Sequence, residues 1–190
     1  MIGRKLTLVL TGALALLLAA CSSDAPPRVV EPRAFEGNAP RGQALLQRAV
    51  MTMHNAARAS VRQPPLAWDE GLAADAAAYA QQMARTRRFE HSPQPRGNPP
   101  QGENLWTGTR GAYRYDEMVQ HWLDEQRNFV NGPIPNVSRT GRFGDVGHYS
   151  QIIWSRTTRV GCAVASNRGD EYLVCRYLPA GNIYGERALP

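Results

Sequence analysis

The side chains able to do chemistry in this 190-residue chain are few: four histidines, three cysteines and a scatter of acids. One acid stands where it is costly. Met118, Trp122 and Phe129 repeat at helical spacing over about Tyr115 to Phe129, and Glu125 falls on the same stripe, three residues after Trp122. An ionised carboxylate on a core-facing position is strongly unfavourable unless a charge, a donor or a metal meets it. Glu125 therefore needs a partner, unless the stripe bends and lets it reach solvent. Ser150 stands near His148 but has no acid partner in view, so nucleophilic serine chemistry is not expected. No His-Glu-x-x-His string occurs, which excludes the ordinary zinc-peptidase helix.

The cysteines carry a second kind of chemistry. Val160, Cys162 and Val164 alternate on one predicted strand, and Leu173, Cys175 and Tyr177 alternate on another, with Asn167-Arg168-Gly169-Asp170 supplying turn residues between them. A turn centred between Arg168 and Gly169 sets Cys162 opposite Cys175, Val160 opposite Tyr177 and Val164 opposite Leu173. All six apolar side chains then share one sheet face. The register that builds a core face thus also predicts a Cys162–Cys175 disulfide, worth about 3 kcal/mol in the chain-entropy model for so short a loop. Free buried thiols are the alternative. Cys21 is left over, and an odd cysteine needs another use.

Leu6 to Ala20 is an apolar run of 15 residues behind Arg4 and Lys5, too short to span a bilayer core as a helix and of the length of a secretory signal. Its end, Leu18-Ala19-Ala20-Cys21, resembles a bacterial lipobox, in which the cysteine is lipidated and becomes the new N-terminus. The reading is a lipoprotein signal over 1–20, lipidation at Cys21, a Pro-, Gly- and charge-rich tether over 21–42, and a folded domain over 43–190. Plain secretion with Cys21 near an ordinary cleavage site is the other possibility. Export implies an oxidising compartment, in which the remaining cysteine pair would bond. Ser22 after Cys21 resembles signals that send lipoproteins to an outer membrane.

Twenty-two basic residues against 16 acidic give a net charge of +6, and Lys5 is the only lysine. Without Arg4 and Lys5 the charge is +4, from 20 basic and 16 acidic residues. No basic block exceeds Arg87-Arg88, and basic residues do not interleave with aromatics, so nucleic-acid binding is excluded.

The elements that must position these groups can be read in outline. Leu45, Ala49, Met53 and Ala56, widened by Val50 and Ala57, predict an amphipathic helix from about Gln43 to Ser60, ended by Gln63-Pro64-Pro65. A second helix follows Trp68-Asp69, with Asp69 as N-cap and Leu72, Ala76, Tyr79 and Met83 on one face. Ser92 to Gly102 is a proline-rich loop, and Asn131 to Gly147 is another. Ile152-Ile153-Trp154 forms a short apolar segment before the hairpin, and a terminal loop begins at Pro179. Helices first and strands last predict an α+β fold with helices packed around a small antiparallel sheet.

Four strings remain: His54-Asn55-Ala56-Ala57-Arg58, Gly102-Glu103-Asn104-Leu105, Gly147-His148-Tyr149-Ser150-Gln151-Ile152-Ile153-Trp154, and Tyr172 to Ile183 with Tyr172-Leu173-Val174-Cys175-Arg176-Tyr177 at its head. Together and in this order they resemble the CAP superfamily of cysteine-rich secretory, antigen 5 and pathogenesis-related 1 proteins (SCP domain), over about Gln43 to Tyr184. The resemblance implies a three-layer α-β-α sandwich and an open cleft with two histidines and two glutamates that binds a divalent metal, zinc foremost. The matching residues are His91, Glu103, Glu125 and His148. Two imidazoles and two carboxylates suit a tetrahedral zinc shell, although spacings of 12, 22 and 23 residues form no local ligand signature. His121 is a rival ligand, four residues before Glu125. His54 is expected to tie helix one to a loop together with Asn55, and Arg58, Asn104, Tyr149, Gln151, Trp154, Tyr177 and Asn182 are expected to be structural members of the motifs.

Some members of the family bind sterols or fatty acids through a loop or a groove between helices, a role open here to the stretch between Trp106 and Tyr113. The favoured function is a lipid-anchored envelope domain whose metal-capable cleft binds a ligand (lipid, sterol or cell-wall material) or a partner. The alternatives are a metal-dependent hydrolase of peptides or cell-wall material, with Glu103 or Glu125 as general base, and an adhesion or structural module with a non-functional tetrad. The single candidate bridge and the lack of a cysteine-rich extension speak against transferring toxin-like functions.

Overall fold

A computed structural model describes residues 29–32, 35–93 and 97–190; the signal segment and Cys21 lie outside them. The C-terminal hairpin forms in the expected register. Strand β3 (Arg159–Ser166) pairs antiparallel with β4 (Asp170–Leu178), Cys162 lies opposite Cys175, and their sulfurs are bonded. Val160, Cys162, Leu173, Cys175 and Tyr177 belong to one buried cluster, with Val164 packed against it.

Two corrections enlarge the sheet. Gly102–Thr109, which follows the proline loop, is a strand, β2, paired antiparallel with β4 from Gly102–Tyr177 to Thr109–Asp170. The sequence shows no alternation there, because the string Gly-Glu-Asn-Leu-Trp-Thr-Gly-Thr mixes polar and apolar residues on both faces. Ala67–Trp68 forms a two-residue strand, β1, parallel to β3, so the order is β1-β3-β4-β2 and the sheet is not purely antiparallel. The stretch proposed as a lipid-binding loop is strand as far as Thr109.

Helix α2 (Glu70–Thr86) is capped by Asp69, whose carboxylate accepts a 2.9 Å hydrogen bond from Leu72 N–H. Its expected face, Leu72, Ala76, Tyr79 and Met83, is buried. The helix lies so close to β3 that a Cβ on Gly161 would stand 2.3 Å from Ala73 N and 2.4 Å from Asp69 O, so only glycine fits there. Leu105, Ala163, Tyr172 and Val174 on this face join the cluster of α2. Helix α1 (Gln43–Ser60), α3 (Tyr115–Leu123) and α4 (Gly147–Ile152) cover the other face, where Trp106, Tyr177 and the disulfide sit with Val50, Met118, Trp122 and Trp154. The layers are α-β-α.

Two helices depart from the periodicity reading. In α1 the buried line is Leu46, Val50, His54 and Arg58, while Leu45 and Ala56 are exposed. The inward face carries a histidine and an arginine, so an apolar count selects the neighbouring stripe. The third helix stops at Leu123 and continues as a 3-10 turn over Asp124–Asn128. That change of pitch takes Glu125 off the line of Trp122 and lets its carboxylate meet the first residues of α4, described below.

The segment read as tether is bound to the domain at its end. Ala39 is buried, and Arg41 reaches both carboxylate oxygens of buried Glu171 while donating to Tyr113 O at 2.9 Å. Glu171 also accepts from Gly111 N–H. Burial works against the Arg41 cation, but the Glu171 carboxylate more than offsets it and holds the guanidinium pKa above its ordinary value. Among the described residues, no helix is long and apolar enough to cross a membrane.

Candidate functional site

Glu103 enters the site from the start of β2, opposite Arg176 on β4. Its side chain is 2% exposed, and its Oε2 lies 2.7 Å from the guanidinium of fully buried Arg176, which stacks over the Tyr79 ring of α2. Oε1 accepts from Ser92 N–H at 3.0 Å and bonds His91 Nδ1 at 2.7 Å. Burial alone would raise this carboxyl's pKa. The His91 hydrogen bond, the Arg176 charge and the Ser92 N–H outweigh it and hold the group below its ordinary value, ionised at neutral pH. The His91 ring itself is 61% exposed.

Glu125, in the 3-10 turn after α3, meets His148 at the start of α4. His148 Nδ1 lies 2.5 Å from Glu125 Oε1, and Oε2 accepts from the backbone N–H groups of His148 and Tyr149 at 2.9 and 3.0 Å. The costly position of Glu125 is therefore met by three donors rather than by solvent. The His148 ring is 29% exposed and stacks on Trp122, with centroids 5.8 Å apart and planes 16° apart.

The four residues assemble as two histidine–glutamate pairs. Each carboxylate has its oxygens engaged, and each imidazole is gripped at Nδ1, leaving Nε2 as the atom able to bind a metal or a ligand. Among the described residues there is no group of three or more His, Cys, Asp or Glu placed to hold a metal ion. The pairs are joined through successive residues of β2, because Asn104, next to Glu103, donates to His148 O at 3.1 Å.

His121 is committed elsewhere. Its Nδ1 accepts from Trp106 Nε1–H at 2.8 Å, its Nε2 lies 3.4 Å from Glu31, and its ring packs with Trp106 and Tyr113. That aromatic cluster includes both ends of the stretch expected to take a lipid, Trp106 and Tyr113. A separate groove of about 550 Å³ lies between α1 and the end of α3, lined by Met53, Ala57, Leu123 and Arg127 among others.

The motif residues hold the loops around the pairs. Asn55 binds both backbone groups of Leu66, so the loop tie expected of His54 belongs to Asn55, while His54 Nε2 turns inward to Tyr177 Oη at 2.8 Å. Arg58, without an acid partner among its hydrogen bonds, donates to the carbonyls of Pro64, Ile152, Trp154 and Thr157. Gln151 accepts from Gly181 N–H and donates to Thr157, and its amide presses so near β2 that a Cβ on Gly102 would lie 2.1 Å from it. Asn182 donates to Gly147 O and accepts from buried Ser150 Oγ. Tyr149 packs edge-on against Phe129, and Trp154 is fully buried.

Comparison with known proteins agrees with this architecture. The model of the cysteine-rich secretory protein family, CAP, matches residues 51–177. A PR-1 type pathogenesis-related protein of Sambucus nigra is 38% identical over 135 residues, covering 70% of this chain and 76% of the relative. Pathogenesis-related protein PR-1 of Medicago truncatula is 34% identical over 174 residues, covering 90% and 92%. Among solved structures, the crystal structure of NaASP2 with Zn2+ superposes with a TM-score of 0.60 at 24% identity, over 80% of this chain and 90% of that one. The structure of BmVAL-1 gives a TM-score of 0.65 at 22% identity, over 82% and 86%.

Proposed function

Because the chain belongs to the cysteine-rich secretory protein, or CAP, family, we propose that it works as an exported binding domain whose cleft offers the Nε2 atoms of His91 and His148 to a divalent metal, zinc foremost, and to the ligand or partner that the metal recruits. The observation that carries this reading is the pair of Nδ1–carboxylate bonds at 2.7 and 2.5 Å. A carboxylate on Nδ1 fixes the tautomer and orients Nε2, an arrangement typical of metal-binding histidines. In this reading the glutamates orient the ligands instead of ligating, and water or ligand atoms complete the shell. A relative of this fold is described with Zn2+, which supports the choice of metal.

Each carboxylate already meets three donors, which favours binding over hydrolysis, since these contacts compete with a water for a general base. A lipid at Cys21 would hold the domain at the cell envelope, and the groove between α1 and α3 offers apolar wall for a lipid or sterol. Isothermal titration of zinc into the full-length protein tests the metal reading. Binding is expected for the wild type and lost in the His91→Ala, His148→Ala double variant. Equal affinity in both would reduce the pairs to structural cross-links.

A further inference from the structure

We infer that His54, buried in α1 beyond the reach of any ligand, is a positioning residue for the cleft histidine His148, and that it acts by two converging routes. The inference deepens the metal-site reading and rests on it only where zinc is the probe.

The first route is a hydrogen-bonded chain whose directions are settled by the atoms in it. The Asn104 amide nitrogen lies 3.1 Å from His148 O and 3.1 Å from Tyr177 Oη. An amide NH₂ only donates, so its two protons go one to each. Tyr177 Oη accepts that bond and must use its own proton on the remaining neighbour, His54 Nε2, at 2.8 Å. His54 Nε2 is then an acceptor, which places the imidazole proton on Nδ1. His54, Asn104 and Tyr177 are buried, so the reverse arrangement, in which Tyr177 accepts from both neighbours, would leave its own hydroxyl proton without an acceptor.

The second route is aromatic. The His54 ring meets Trp122 edge-on at 6.4 Å and 86°, and Trp122 carries the stacked His148 ring on its surface. Trp122 is itself pinned by its indole N–H to Leu105 O at 3.1 Å. One route holds the backbone of His148 and the other its ring plane, and both begin at His54. Buried charge at His54 would break the first. Burial drives the His54 pKa down to about 3, so the ring stays neutral and able to accept from Tyr177 across the ordinary range of pH.

The test uses full-length protein with ¹⁵N-labelled histidine. Tyr177→Phe removes one hydroxyl, and His54→Phe keeps a ring without an acceptor. His54→Gln restores an acceptor for Tyr177. Expected are a shifted and broadened His148 imidazole signal and roughly tenfold weaker zinc binding in the two Phe variants, with His54→Gln returning most of both. If His148 signals and zinc affinity stay at wild-type values while only the melting temperature falls, His54 is an ordinary core residue and the inference is wrong. Should His54→Phe fail to fold, Tyr177→Phe decides alone. Wild-type protein whose His148 signal ignores zinc defeats the metal reading, and the metal-free spectra of the variants still judge the relay.

Discussion

In the His91–Glu103 pair the carboxylate is the fixed member, sealed against Arg176 with 2% of its side chain exposed, while the ring is 61% open to solvent. In the His148–Glu125 pair the ring is the fixed member, stacked on Trp122 and tied through its backbone to Asn104 and Glu125. The same two residue types have thus been secured by different means, a buried opposite charge in one case and ring packing with backbone N–H donors in the other. The difference teaches that each pair should fail in its own way. The first depends on charge balance, the second on shape.

The largest effect is expected on removing the charge that seals Glu103. Arg176→Met should cost about 3–5 kcal/mol, because it leaves a buried carboxylate uncompensated. Glu125→Gln should cost about 1–3 kcal/mol, since an amide oxygen in place of Oε2 still accepts from the backbone N–H groups of His148 and Tyr149 while the contact to His148 Nδ1 loses its charge. Urea unfolding of both variants measures this, and equal losses would remove the contrast between the pairs.

Acidification should weaken the two in sequence. His54, which backs His148, has its folded pKa depressed to about 3 from an ordinary 6.5. Between those values the unfolded chain binds a proton that the native state refuses, so stability is full above about pH 6.5 and falls as the pH drops through the window. Glu103 is also depressed by folding, so its contribution is present above the ordinary carboxyl range near 4.5 and declines only below it. Melting temperatures between pH 7 and pH 4 should therefore start to fall near 6.5 in the wild type. In His54→Gln the fall should be shallower until the carboxyl range is reached. An identical profile in both proteins would show that His54 does not govern the first phase.

The smallest effect is expected at the exposed ring. His91→Ala should change stability by about 0.5 kcal/mol or less, because Glu103 keeps Ser92 N–H and Arg176. His148→Ala, which strips the Trp122 stack, should cost about 1–2 kcal/mol. Thermal or urea unfolding orders the two, and a larger loss for His91→Ala would reverse the assignment of which ring is structural.

The hairpin was legible down to the residue pair, because period-two alternation, a turn signal and two cysteines all constrain one register. Helix α2 was equally plain, since its buried face is apolar throughout and Asp69 marks its start. Helix α1 was read one stripe off because His54 and Arg58 look like surface residues, although the backbone carbonyls around Arg58 and the hydroxyl of Tyr177 make their burial favourable. β2 was missed for a related reason: Glu103 and Asn104 point to opposite faces of the sheet and are both buried, so no alternation of polarity survives there. Glu125 was visible as an acid in need of a partner, but a helix drawn on through Phe129 put it in the wrong direction.

From residue order alone came the identity of the groups that matter, the disulfide, the cap of α2 and the kinship carried by the motif strings, because each depends on chemistry within a few positions or on one local register. Which nitrogen each histidine keeps free, which carboxylate is sealed by an arginine, and that a buried histidine in α1 supports another 94 residues later emerged only on folding. Those features depend on donors and acceptors meeting across distant segments, and a hydrogen bond between such segments leaves no periodic trace in the chain that makes it.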